Sequence, residues 1–110
     1  MIYVIYVAID EGAHAEWERW LRGEHIPKAM ETGCFLQGLL IKEPMTSTLN
    51  VPGKRSYRVM YIAKSAEHFD RYLDEHADQL RREHTNRYQG QFVARREVLH
   101  VIDRIEPPEE

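Results

Sequence analysis

The second half of this chain repeats the pattern of the first. Tyr3-x-Ile5-x-Val7 recurs as Tyr57-x-Val59-x-Tyr61. Trp17-x-x-Trp20-Leu21, with Glu24-His25 behind it, recurs as Phe69-x-x-Tyr72-Leu73, with Glu75-His76 behind it. The shift lies between 51 and 54 residues at every matched position. Each copy is a period-two apolar run followed by an apolar stripe at helical spacing. A chain of 110 residues duplicated in this way is directed toward two strand–helix units sharing one core, within the usual size of a single domain.

The remaining segments complete that frame. Ile2–Ile9 is rich in β-branched and aromatic residues on both alternate faces, which predicts a strand covered on both sides. Asp10 offers an N-cap. A helix is expected from Glu11 to about Gly23, with Ala13, Trp17, Trp20, Leu21 and Glu24 on one face. Pro27 disfavours a helical Ile26, so a break is expected there, followed by a short turn over Pro27–Glu31 that Gly33 ends. Cys34–Lys42 reads as a second strand, with Phe35, Gln37, Leu39 and Ile41 on one face. Glu43–Lys54 is polar and carries a Pro52-Gly53 turn signal, which predicts a long, mobile hairpin loop. Arg55–Ala63 is a third strand. Ser65 caps a second helix over Ala66–Tyr88, whose stripe of Phe69, Tyr72, Leu73 and Leu80 also contains His76 and His84. Gln91–Ile102 is a fourth strand. The order is β-α-β-β-α-β. It predicts an α+β, ferredoxin-like domain over 1–103, a four-stranded antiparallel sheet with helices on one face. The segment 104–110 has little to bury and is expected to be a frayed acidic, proline-bearing tail.

Helices cover one face of such a sheet, yet the first strand is apolar on both and the second nearly so. A second copy packed sheet to sheet is the simplest cover, which predicts a homodimer of the dimeric α/β-barrel type. Composition narrows the partners. With 15 Lys and Arg against 18 Asp and Glu, the net charge of −3 leaves no basic footprint for nucleic acid. The apolar opening Met1–Ile9 is far short of the ~20 residues a membrane span needs, and no basic region precedes it as in a signal peptide. One cysteine, Cys34, excludes an intrachain disulfide and points to a cytoplasmic setting.

The stretches EWERWLRGEHIPKAMETGCF, YRVMYIAKSAEHFDRYLDEHADQLRREH and FVARREVL together resemble a small bacterial family, a domain of unknown function within the ferredoxin-like dimeric α/β-barrel superfamily. The resemblance runs from Met1 to about Val101. Its most specific part is the Trp-x-x-Trp helix leading into His25-Ile26-Pro27 and Thr32-Gly33. The chain departs from the family at Asp78, where a proline is usual, and at Arg95, where an aromatic is usual. The first departure implies an unbroken second helix. The resemblance implies fold and dimer and carries no reaction.

Candidate chemistry therefore rests on individual residues. His14, Glu18, Leu21 and His25 form one helical stripe, and His76, Leu80 and His84 another. Their spacing matches no metal-ligand signature, so neither metal nor cofactor is expected. Cys34, alone at the head of a strand, reads as inert packing. His25 stands where the helix is expected to break, which makes His25 and Glu24 the candidate catalytic pair at the mouth of a cavity. Arg96 lies mid-strand among Phe92, Ala94 and Val98. Its planar donor fork makes it, with His25, the candidate ligand-binding residue, as an anchor for an anion. The alternative for Arg96 is a structural ion pair with Glu43 or Glu97. Three functions follow: a dimer that binds a small molecule, a cofactor-free enzyme of oxygenase or isomerase type, and a structural or interaction module using the 43–54 loop and the tail.

Overall fold

The computed structural model describes residues 1–44 and 51–109. Four strands form one antiparallel sheet: β1 (Ile2–Asp10), β2 (Phe35–Lys42), β3 (Lys54–Ala63) and β4 (Phe92–Leu99), in the order β2-β3-β1-β4. Helical segments connect β1 to β2 and β3 to β4, and all pack on one face, which is the ferredoxin-like α+β fold. Half of the expected 43–54 hairpin loop, residues 45–50, lies outside the described residues. No helix among the described residues is long and apolar enough to cross a membrane.

β1 is central, with Val7 opposite both Tyr57 and Ala94 and Ile5 opposite both Val59 and Arg96. Alternation then fixes the faces. Tyr3, Val7 and Ile9 join Tyr57, Val59, Tyr61 and Ala63 beneath the helices. Trp17, Leu21 and Ala29 cover them from one side, and Phe69, Tyr72, Ala77, Leu80 and Tyr88 from the other. β4 stops at Leu99 and not at Ile102, because Leu99 already faces Ile2, the first residue of its only partner strand. Residues 100–109 are exposed and carry no helix or strand.

The other face of the sheet carries no helix. Leu39, Ile41, Val93 and Leu99 are exposed there. Between them Tyr6 lies under the guanidinium groups of Arg58 and Arg95, 5.2 and 4.2 Å from its ring centre. Its hydroxyl donates to Glu97 at 3.0 Å. Arg58 also pairs with Glu43.

Four local expectations are corrected. Asp10 does not cap the first helix. It ends β1 opposite Lys54, to which its carboxylate is paired, and the helix begins at His14 behind Ala13 with no side-chain cap. In β2, a bulge between Phe35 and Gln37 shifts the alternation. Phe35 stays in the core, but Gly38 and Leu40 follow it on the helix side, while Gln37, Leu39 and Ile41 face away with Ile62, Met60 and Arg58.

The helices reverse the expected pattern of breaks. The first does not end before Pro27. α1 (His14–Trp20) passes through a π-helical turn, Leu21–His25, directly into α2 (Ile26–Glu31). Ile26 is helical, at φ −65° and ψ −45°, and its N–H donates to the Leu21 carbonyl five residues back. A proline ring in an α-helix collides with the carbonyl four residues earlier, here that of Gly23. The wider π turn gives the chain another way past Pro27. The second helix is the one that breaks. α3 (Ala66–Glu75) and α4 (Ala77–Arg87) meet at His76, whose φ of −127° is not helical. Burial explains the shift: Phe69 and Tyr72 are buried, and the stripe then resumes at Ala77 and Leu80. The step from Tyr72 to Ala77 is one residue longer than helical spacing allows, and the kink absorbs it.

Gly38 shows how closely α2 sits on the sheet. A Cβ there would lie 3.1 Å from Ile26 Cγ2 and 3.3 Å from the Tyr61 ring. Gly38→Val is expected to cost about 1–3 kcal/mol by overpacking, measured by urea unfolding. Unchanged stability would show that Ile26 can withdraw without cost.

Candidate functional site

Between the sheet and the helices a recess with about 30 Å³ of free interior, open at one end, is bounded by side chains from both layers. β1 gives its floor through Tyr3, Ile5 and Val7, and β3 adds Val59 and Tyr61. β4 contributes Phe92, Ala94 and Arg96 along one side. The helices close it with Trp17, Leu21 and His25 from the first and with Tyr72, Leu80, Arg81 and His84 from the second.

The two histidines meet here from different helices, their ring centres 5.7 Å apart. The π turn ends on His25, and the ring stacks on Trp20 at 4.8 Å. Arg87 lies over the same indole, 5.2 Å from its centre. His25 Nδ1 is buried and has no hydrogen-bond partner. Burial pushes the His25 imidazole down to about 4. His84 is also lowered to about 4, mainly by burial, with His25 and Arg96 acting in the same direction. Geometry fixes its tautomer. Trp17 Nε1 donates to His84 Nε2 at 2.9 Å, and an indole N–H can only donate. His84 is therefore neutral, with its proton on Nδ1.

Two guanidinium groups face the same space. Arg81 donates to the Tyr3 hydroxyl at 2.9 Å, while its Nε is buried without a partner. Arg96 stands on the helix-facing side of β4 beside Ile5, exposed toward the mouth. It forms no ion pair with Glu43 or Glu97, which pair instead with Arg58 and Arg95. Burial raises the Tyr61 and Tyr72 hydroxyls well above the usual phenol range, so both stay protonated.

The structure thus brings His25 and Arg96 to one recess. Glu24 is exposed and absent from its lining, so it makes no pair with His25 there. The π turn presents these neighbouring residues in different directions. His76, the counterpart of His25 in the repeat, sits at the α3–α4 kink and does not line the recess. Trp17 is fully buried as expected of a core residue, but it also borders the recess and orients His84. Trp20 is only partly buried and packs over His25. Nothing in the sequence marks Arg81, and the stripe that contains His84 points to no site. His84 stood in a visible stripe, but nothing there showed that α4 would carry it to His25. Among the described residues, no group of three or more His, Cys, Asp or Glu is placed to hold a metal ion. Cys34 is buried, and its Sγ lies 3.6 Å from an Arg71 nitrogen.

Fold and recess together define a ferredoxin-like α+β protein with a partly enclosed aromatic and cationic cleft in the single chain. The chain belongs to the family described as "Domain of unknown function (DUF4286)", whose profile matches residues 1–102. A search of curated proteins finds no match to it. Among solved structures it is similar to SnoaB, a cofactor-independent oxygenase from Streptomyces nogalater. The TM-score is 0.67 at 13% identity, covering 96% of this chain and 97% of that one. HapK from Hahella chejuensis is similar at a TM-score of 0.60 and 11% identity, over 98% of this chain and all of HapK (100%). A dimeric ferredoxin-like protein from an uncultured marine organism has a TM-score of 0.58 at 10% identity, over 96% of this chain and 98% of the other. At these identities the likeness shows the fold.

Proposed function

We propose that this chain is the subunit of a homodimer in which each subunit binds a small organic molecule in the recess between its sheet and helices. The observation that carries the binding reading is the convergence of His25, His84, Arg81 and Arg96 on one aromatic-walled recess. A concave, mostly apolar site with a few converging polar groups is the usual form of a small-molecule site. NMR titration with small aromatic fragments tests it. Shifts should concentrate on residues of the recess and weaken in Arg96→Gln. Shifts confined to the helix-free face would favour an interaction module instead.

The homodimer is supported by Leu39, Ile41, Val93 and Leu99 exposed on the helix-free face, and by the dimeric state of the similar marine protein. Sedimentation at micromolar concentration should give about twice the 13.1 kDa chain mass, and Leu39→Asp with Val93→Asp should restore the single chain. A single-chain mass for the unmodified protein would overturn the dimer and leave the recess untouched.

A second reading, a cofactor-free enzyme, is favoured by one feature. His25 is neutral and its Nδ1 has no protein partner, which leaves one ring nitrogen open to a hydrogen bond from a substrate. Turnover of a bound fragment, lost in His25→Gln while binding persists, would support it.

A further inference from the structure

We propose that the recess is specific for a flat organic anion, a carboxylate on an aromatic or conjugated ring, held by Arg81 and Arg96 together. This rests on reading the recess as a ligand site and names the chemistry of the ligand.

The charge balance carries the inference. The chain as a whole is −3, with more acidic than basic residues. The recess is the reverse: its lining contains two arginines and no aspartate or glutamate. Of the nine other arginines five are ion-paired, Arg104 with Glu106 among them, and Arg19, Arg22, Arg71 and Arg82 are exposed to solvent. Arg55 contacts Glu11, Arg58 Glu43, Arg87 Glu16 and Arg95 Glu97. Arg81 has only the neutral Tyr3 hydroxyl, and its Nε is buried without a partner. Arg96 makes no hydrogen bond or ion pair among the described residues. A buried donor left unpaired costs free energy that a matching acceptor would recover. Arg81, with a buried donor unpaired, and Arg96, exposed at the mouth of the same recess, therefore offer donors to an anion from outside. The histidines add to this. Neither contributes a charge near neutral pH, and His84 is fixed as an Nδ1–H donor by Trp17.

The shape selects the rest of the ligand. Tyr3 and Tyr61 lie nearly parallel, 6.4 Å apart and 25° between planes, and Phe92 and Trp17 complete a wall of rings. Such walls favour a planar partner. Guanidinium forks match a carboxylate bidentately. No lysine lines the recess, so the polar recognition is concentrated on the two forks and His84.

The test compares acids with their uncharged amides at pH 7.5, by NMR and by tryptophan fluorescence. The probes are benzoate, 2-naphthoate and cyclohexanecarboxylate with the corresponding carboxamides. The expected result is that 2-naphthoate binds at least tenfold tighter than 2-naphthamide and tighter than cyclohexanecarboxylate. The acid–amide difference should vanish in Arg81→Gln and in Arg96→Gln. Arg96 is exposed and outside the buried core, so that variant remains informative if Arg81→Gln folds poorly. Amides binding as tightly as acids would overturn the anion assignment and leave the recess as a neutral-ligand site. If neither acids nor amides shift any recess residue, the site reading falls with it.

Discussion

Trp17→Ala is expected to lower the free energy of unfolding by about 3–5 kcal/mol, the range for truncating a buried aromatic ring. Trp17 is completely buried and packs its ring 4.8 Å from that of Tyr57. It also donates the hydrogen bond that fixes His84. Trp17→Phe separates these roles. It keeps much of the volume and loses the donor, so it should cost less in stability while freeing the His84 tautomer. Urea unfolding measures the first effect, and the imidazole nitrogen shifts of His84 measure the second. An alanine variant as stable as the parent would mean that the helix does not rest on this ring. A phenylalanine variant with unchanged His84 nitrogen shifts would show that another group sets the tautomer.

Acid is expected to destabilise the protein well before its carboxylates titrate. His25 and His84 are lowered to about 4 in the fold, from 6.5 when unperturbed. Between these values the unfolded chain takes up protons that the folded chain refuses, so stability rises with pH across the window. The contribution is fully present above about 6.5 and is lost as the pH falls toward 4. Going from pH 7 to pH 5 should cost roughly 2–4 kcal/mol for the pair, since each pKa unit corresponds to about 1.4 kcal/mol per group. Denaturant unfolding at pH 7, 6 and 5 provides the measurement. His25→Gln and His84→Gln should each flatten the profile by about half. A parent protein equally stable at pH 5 and pH 7 would show that these rings are hydrated enough to ionise in place.

The repeat and the period-two apolar runs determined the order of elements, because strand and helix periods are local properties of the chain, while which strands pair was set by the tertiary structure. Trp17, Phe69 and Tyr72 were legible as core for the same reason. Arg96 was legible as an unusual charge because alternation set it among Phe92, Ala94 and Val98, on the face opposite Arg95 and Glu97. The local rules gave the wrong answer where packing sets the phase. Pro27 does not end its helix, because a π turn carries the chain past it while Ile26 closes on Gly38. Nothing local marks His76 as a break. The kink appears because Tyr72 and Ala77 must both reach the core. The same limit applies to the recess. His25 and His84 lie 59 residues apart, and neither stripe indicates that the other will meet it. Their lowered basicity, the tautomer of His84 and the unpaired Arg81 exist only once two helices cross one sheet. Each depends on burial and on a partner supplied by a different element, and a linear pattern contains neither.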